Sequence, residues 1–425
     1  MKKIDIYFIN NTQNNIKTIS INITETCVTI KLNIFDISNY EFGKELIKIN
    51  NIINIYSSIK RINIIFDKSI NIYLANKILS KTHNILYQYY KVTKEIKLYQ
   101  VSDESNNFMH ELDKYKNIVM DPNTTPDSYL SYIKSRIPPN YITHINNVKD
   151  TDDFPLTKAV GLGSRHNGYF IHIEPSYEKP NKKNIYLVGK AITFDSGGMN
   201  LKKSGMEDMK IDMTGSAIII SVLNLLNACN YDLNYNLHLI IPIVENMISN
   251  NAVLPGNVIT TAGGKTVEIT NTDAEGRLCL ADCFEFIQSK LSINKDLSKC
   301  LIIDIATLTG NVSSITNGIS SIIMGNDKGS NVIDTLTNIG EDIGEYLDFI
   351  KIREEYFDIL NSKVADIKNC CNHTKSGCIM AGVFLNYFVN KDMPWVHIDL
   401  GDGTYTNETA QSHGVNLLFE FLKKF

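Results

Sequence analysis

Apolar positions along the chain fall into two regimes. Over residues 1 to about 100, short Ile/Val/Tyr-rich runs alternate with polar residues at a period near two, the spacing of half-buried strands. These runs predict strands at Ile4–Phe8, Thr18–Ile23, Val28–Ile34, Arg61–Phe66 and Leu86–Tyr90, with a helical period over Ile70–Lys81. From Asp103 to about Met120, Phe108, Met109, Leu112 and Tyr115 recur at helical spacing and predict a connecting helix. Asp121-Pro-Asn-Thr-Thr-Pro126 is turn chemistry, and Pro126 suits the first turn of another helix.

The second regime alternates apolar runs of strand length with longer amphipathic stretches. Strands are expected at Tyr169–Ile173, Ile185–Val188, Leu237–Val244, Leu301–Ile305, Ser320–Met324 and Trp395–Ile398. Helices are expected at Gly215–Ala228, Ala274–Ser289, Asp334–Tyr346, Ile379–Val389 and Val415–Leu422. Strand–helix alternation is what a largely parallel sheet requires. The expected fold is α/β with two domains: a small N-terminal α/β domain over residues 1–102, a connecting helix and loop over 103–125, and a larger α/β domain over 126–425. The larger one would carry a mixed, mostly parallel central sheet flanked by helices. In such sheets ligands gather beyond the carboxyl ends of the strands. Lys190 and Asp195 follow one such end, and Thr307 and Gly310 another.

Composition narrows the classes. A chain of 425 residues exceeds one ordinary core, and 43% hydrophobic with 21% charged residues describes a soluble globular protein. A net charge of −4 gives no electrostatic reason to expect nucleic acid or an anionic membrane as partner. The N-terminal apolar run is broken by Asp5, and Ala217–Ala228 and Leu237–Val244 fall short of the roughly 20 residues a membrane span needs. Cys279 and Cys283 read as core packing, while Cys370, Cys371, His373 and Cys378 fit no common zinc spacing. A cytoplasmic protein is the expectation.

Chemistry concentrates between Lys190 and Arg277. Lys190-Ala-Ile-Thr-Phe-Asp195-Ser-Gly-Gly-Met-Asn-Leu-Lys202, Met209-Lys-Ile-Asp212-Met and Asn271-Thr-Asp273-Ala-Glu275-Gly-Arg277 supply four carboxylates, two lysines and an arginine. Oxygen-rich sets of this kind suit hard or borderline divalent cations. Each residue also has an ordinary explanation. Thr272 and Glu275 have capping-box spacing, Asp195 precedes a Gly-Gly turn, Asp212 could cap the next helix, and lone lysines are usually solvated. The set as a whole favours chemistry, because one loop and two helix starts would converge at one sheet end.

These segments resemble the leucine aminopeptidase family of two-metal cytosolic exopeptidases. The similarity continues through Ile303-Asp-Ile-Ala-Thr-Leu-Thr-Gly310, Ala365-Asp-Ile-Lys-Asn369 and Pro394-Trp-Val-His-Ile-Asp399, covering essentially residues 120 to 400. The resemblance implies hydrolysis of the N-terminal residue of peptides by a hydroxide held between two divalent ions, Zn2+ and/or Mn2+. Lys190, Asp195, Asp212 and Glu275 would bind the tighter ion, and Asp195, Asp273 and Glu275 the more exchangeable one. Lys202 would stabilise the oxyanion. Arg277 would hold a bicarbonate that assists proton transfer. Met209, Thr307, Gly310, Gly401 and Thr404 would line the pocket for the first side chain. The partners implied are peptides with a free N-terminus and a homohexamer of like subunits.

Departures from the family pattern carry expectations of their own. The run from Lys202 to Asp212 is one residue shorter than usual, and Leu254-Pro-Gly-Asn257 stands for Arg-Pro-Gly-Asp. Asp399-Leu-Gly401-Asp402-Gly-Thr404 stands where the family shows Asp-Ile-Ala-Gly and then an apolar residue, so Asp402 or Thr404 would disfavour leucine. A phosphate-loop reading of Gly263-Gly-Lys265-Thr266 fails because position 259 is Ile. The alternative class is a non-catalytic relative kept for binding or assembly. Retention of every ligand and both catalytic cations weighs against it.

Overall fold

A computed structural model describes residues 18–23, 27–33, 61–66, 95–99, 103–291, 297–371, 376–401, 404–406 and 409–425. The chain divides into two compact units, Met1–Asn117 with Ala228–Asn230, and Ile118–Asn227 with Tyr231–Phe425. The first contains a four-stranded sheet in the order β1 (Thr18–Ile23), β2 (Cys27–Asn33), β3 (Arg61–Phe66), β4 (Glu95–Tyr99), followed by most of helix α1 (Asp103–Met120). The pair β1–β2 is antiparallel and the rest parallel. Three of the strands fall where the apolar alternation puts them; β4 was not expected. Ile4–Phe8, Ile70–Lys81 and Leu86–Tyr90 lie outside the described residues.

The second unit opens with α2 (Pro126–Lys134), whose N-cap Thr125 forms a capping box with Ser128 and which carries Pro126 in its first turn. In chain order there follow β5 (Tyr141–Asn147), α3 (Pro155–Gly161), β6 (Tyr169–Pro175), β7 (Asn184–Gly189), β8 (Ala191–Asp195), α4 (Thr214–Ala228), β9 (Asn236–Asn246), β10 (Val258–Thr260), β11 (Thr266–Glu268) and α5 (Gly276–Lys290). Then come β12 (Cys300–Ala306), α6 (Asn311–Thr316), β13 (Ser321–Gly325), α7 (Ser330–Ile343), β14 (Leu347–Phe349), β15 (Ile367–Lys368), α8 (Gly377–Phe388), β16 (Trp395–Asp399) and α9 (Val415–Lys424). The nine-stranded sheet runs β14-β13-β16-β12-β7-β9-β6-β5, with β8 also on β9. Its centre, β16-β12-β7-β9, is parallel, and β6 and β5 add antiparallel strands at one edge.

Strands β7, β12 and β16 are buried at every position, because helices cover both faces. Tyr186, Val188 and Ile302 pack into one core with Leu278, Cys283 and Phe284 of α5, Val383 and Phe384 of α8, and Leu156 of α3. The other face receives α4. It comes so close that a Cβ on Gly215 would lie 2.0 Å from the Ile305 carbonyl oxygen, and one on Gly189 would lie 2.5 Å from Ser216 Cα. Only hydrogen fits at these two crossings. The run Met206–Ala228 is the one described stretch long and apolar enough to cross a membrane, and 78% of its most apolar window is buried in the protein.

The strand expected at Ile185–Val188 does not end before the site. The chain breaks pairing at Lys190, whose N–H donates to Ile305 O (3.2 Å) and whose carbonyl accepts from Ser216 N (3.0 Å), and then resumes as β8 along the far end of β9. An 11-residue β9 makes this possible by offering room for two successive partners. Asp195 is therefore the last residue of a strand, not a member of a free loop.

Two consequences are measurable. Gly215→Ala should destabilise the protein by about 3 kcal/mol or more in urea unfolding, because backbone on both sides must move; an unchanged midpoint would contradict the close crossing. Asp282 on α5 accepts from Thr157 N (2.7 Å), and burial pushes its carboxyl up to about 7. Its raised value means a stability contribution present below pH ~4 and lost as pH climbs towards 7. Asp282→Asn should flatten the unfolding free energy across that window.

Candidate active site

Every residue expected at the site lines one cavity of about 470 Å³: Lys190, Asp195, Lys202, Met209, Asp212, Asp273, Glu275, Arg277, Thr307, Gly310, Gly401 and Thr404. It opens where the parallel strands end, as sheet topology dictates. Three segments bring the charged groups in: the β7–β8 break with the following loop, the 3-10 helix Met206–Ile211 with Asp212 at its end, and the turn into α5.

Lys190 is at the centre. Its stem passes Gly276, where a Cβ would lie 2.5 Å from Lys190 Cε. Its Nζ donates to Asp212 Oδ1 (2.7 Å) and Thr307 O (3.0 Å) and pairs with Glu275 Oε1 (2.9 Å). Lys202 Nζ pairs with Asp195 Oδ2 (2.6 Å) and Asp273 Oδ1 (2.5 Å). Burial alone would lower both lysines, but the surrounding carboxylates outweigh it, and both are held above the ordinary range as ammonium ions. Burial, reinforced by Glu275 and Asp195, pushes Asp212 well up despite its bond to Lys190. Burial likewise raises Asp273, against the pull of Lys202.

Four carboxylates face two lysine ammoniums and the Arg277 guanidinium here, an excess of one negative charge in a largely buried space. Carboxylate oxygens of Asp195, Asp273 and Glu275 lie within 4.8 Å of one another. Asp212 Oδ2 is buried and has no hydrogen-bond partner among the described residues. Surplus negative charge, clustered hard oxygens and an unsatisfied buried acceptor are the conditions under which divalent cations bind. The set that could hold them is Lys190, Asp195, Asp212, Asp273 and Glu275.

Neutral side chains to which no site role was assigned from the sequence hold this set in place. Asn246 Nδ2 donates to Asp195 Oδ1 (2.7 Å) and Thr272 O (3.0 Å). Thr272 Oγ1 donates to Gly197 O (2.7 Å) and accepts from Asn200 N (2.8 Å), so it ties two loops together. The expected capping box is thus not formed: α5 starts with Glu275 at its N-cap and no side-chain cap. Asp212 caps no helix either, since its carboxylate is taken by Lys190 and by Thr307 Oγ1 (2.9 Å). Asn369 accepts from Thr270 N and Asn271 N and donates to Asn271 O and Ala274 O, bracing the acidic turn from β15. Its carbonyl also accepts from Arg277 Nη1 (2.9 Å). Arg277 is buried, which lowers it from its usual value, and its Nε has no partner among the described residues.

At the other end of the cavity Asp399 accepts from Leu308 N, Thr309 N and Thr309 Oγ1, fixing the loop that carries Thr307 and Gly310. Thr404 Oγ1 donates to Gly401 O (2.8 Å), so its hydroxyl is already engaged. Asp208 and Tyr405, also unanticipated, line the wall and bond to each other (2.8 Å). Asp402 lies outside the described residues, as does His373.

Residues 118–419 match the family model described as "Cytosol aminopeptidase family, catalytic domain". The probable cytosol aminopeptidase of Protochlamydia amoebophila is 36% identical over 283 residues, covering 65% of this chain and 54% of that protein. That of Gloeobacter violaceus is 38% identical over 264 residues, covering 60% and 49%. That of Prochlorococcus marinus (strain MIT 9312) is 34% identical over 355 residues, covering 78% and 70%. The chain spans about half the length of the first two relatives. The crystal structure of the cytosol aminopeptidase of Coxiella burnetii superposes with a TM-score of 0.79 at 24% identity, covering 91% of this chain and 85% of that one, and so shares the fold. The sequence match across the whole second unit's sheet and cavity shows that this chain belongs to the cytosol aminopeptidase family.

Proposed function

We propose that this protein is a cytoplasmic, metal-dependent aminopeptidase that removes the N-terminal residue of peptides. The observation that carries the reading is the convergence of all seven charged residues, from three separated segments, on one cavity. Its relatives are named as probable cytosol aminopeptidases, in agreement with it. In this reading Lys190, Asp195, Asp212 and Glu275 hold one cation and Asp195, Asp273 and Glu275 a second, the ions being Zn2+ and/or Mn2+. Two such ions supply Lewis acidity that polarises the scissile carbonyl and acidifies water.

The chain's own residues do the rest. Lys190 can ligate only as a neutral amine, so it must surrender the proton that its carboxylate cage now favours. Lys202 remains an ammonium and donates to the oxygen that becomes negative in the tetrahedral intermediate. Arg277 cannot act as a base; its Nε–H, without a partner among the described residues, suits a planar anion such as bicarbonate, which would accept a proton. Met209, Thr307, Gly310, Gly401 and Thr404 receive the first side chain of the peptide. The N-terminal unit serves assembly in this reading, as a homohexamer.

Chelation followed by gel filtration should abolish hydrolysis of leucyl amides, with Zn2+ or Mn2+ restoring it. Lys202→Met should lower kcat by about 100-fold or more while metal content stays unchanged. Undiminished turnover by the stripped protein would end the proposal.

Specificity follows from the walls. Met209, Ile211, Leu308 and Leu400 are apolar, Thr404 spends its hydroxyl on Gly401, and Asp208 is engaged by Tyr405. An apolar first residue therefore gains burial without stranding a polar group. We expect kcat/KM for leucyl substrates to exceed that for glycyl substrates by roughly 10-fold or more, from about 1.5–3 kcal/mol of side-chain burial. Equal values, or a preference for arginyl substrates, would return the pocket to the polar character suggested by Asp402.

A further inference from the structure

The antiparallel edge of the large sheet carries a second constellation, remote in sequence from the acidic cavity. His144 on edge strand β5 sits directly across from His172 on β6. Glu174 lies two residues further along β6, on the same face by strand alternation. His238 on β9 reaches the group diagonally, its Nδ1 3.3 Å from His172 Nε2. Glu174 bridges the two other histidines, with Oε1 2.7 Å from His144 Nε2 and Oε2 3.7 Å from His172 Nε2.

From these positions we infer a further metal site, one that takes a borderline divalent ion of the zinc class through His144, His172 and Glu174. One ligand atom from each of the three lies within 4.8 Å of the others. Bonds of roughly 2.0–2.1 Å in a tetrahedral zinc site place neighbouring ligand atoms a little over 3 Å apart, and the 2.7 and 3.7 Å separations of Glu174 from the two rings lie either side of that value. The fourth position falls to His238 or to water. Imidazole-rich donors select zinc, cobalt, nickel or copper over magnesium and calcium, the reverse of the carboxylate-rich cavity.

The surroundings suit an ion. The Phe286 ring stands edge-on to His172 at 5.4 Å, and Tyr186 stacks on His238 at 4.6 Å, giving the inner side an apolar wall. Side-chain exposure grades from 52% at His144 through 28% at Glu174 to 8% at His172, which leaves an entry path from solvent. An ion here would cross-tie edge strand β5 to β6, fastening the end of the sheet beyond which no further strand lies among the described residues.

The test uses the full chain, stripped of metal and titrated with Zn2+ and separately with Co2+, comparing wild type with His144→Asn and His172→Phe. His144 is exposed enough that its replacement should leave the fold intact. The wild type should bind one more equivalent of Zn2+ per chain than either variant, by elemental analysis after dialysis. Its Co2+ form should show visible absorption bands of a tetrahedral site that both variants lack. Peptide hydrolysis should be unaffected by His144→Asn, so failure here is separable from failure of the aminopeptidase reading. Equal stoichiometry and equal Co2+ spectra in wild type and His144→Asn would overturn the inference, leaving a hydrogen-bonded stack of histidines.

Discussion

A buried surplus of negative charge governs the larger unit of this protein. Four carboxylates in water repel one another weakly, but in a space walled by protein each deepens the cost of ionising the next. Lys190, Lys202 and Arg277 offset much of it, yet burial, reinforced by neighbouring carboxylates, still pushes Asp212 well up and raises Asp273. Such an arrangement persists only because the surrounding fold is stable enough to hold it. Its natural complement is positive charge from outside the chain.

The sheet supplies that stability and sets the geometry. At Lys190 the chain leaves β12 and joins the far end of β9, and its two backbone hydrogen bonds fasten the break to Ile305 and Ser216. The close crossing at Gly189 and Gly215 draws α4 onto the strands, which carries Asp212 to Lys190. Glycine at position 276 lets the Lys190 stem lie against the start of α5, which carries Glu275. Backbone proximity at three glycines thus becomes side-chain convergence.

Much of this was legible in the residues alone. Runs such as Arg61–Phe66 and Val415–Leu422 have one dominant period, and they are the elements seen, within a few residues. The charged set was legible because its residue types in that order resemble one family's. What escaped was tertiary. Thr272 has the spacing of a cap, yet its hydroxyl finds a better partner 75 residues away in Gly197. Asn246, Asn200 and Asn369 carry the supporting hydrogen bonds, but asparagine is abundant throughout this chain, so none stood out. Asp208 and Tyr405 meet across 197 residues, a pairing no local pattern announces. The histidine row on β5, β6 and β9 is invisible for the same reason, since three strands must be laid side by side before it exists.

The link between Thr272, Asn200, Gly197 and Asn246 has one more implication. It joins the end of β8 at Asp195 to the turn bearing Asp273 through neutral groups. The separation of Asp195 from Asp273 is therefore set by neutral hydrogen bonds as well as by the charges themselves.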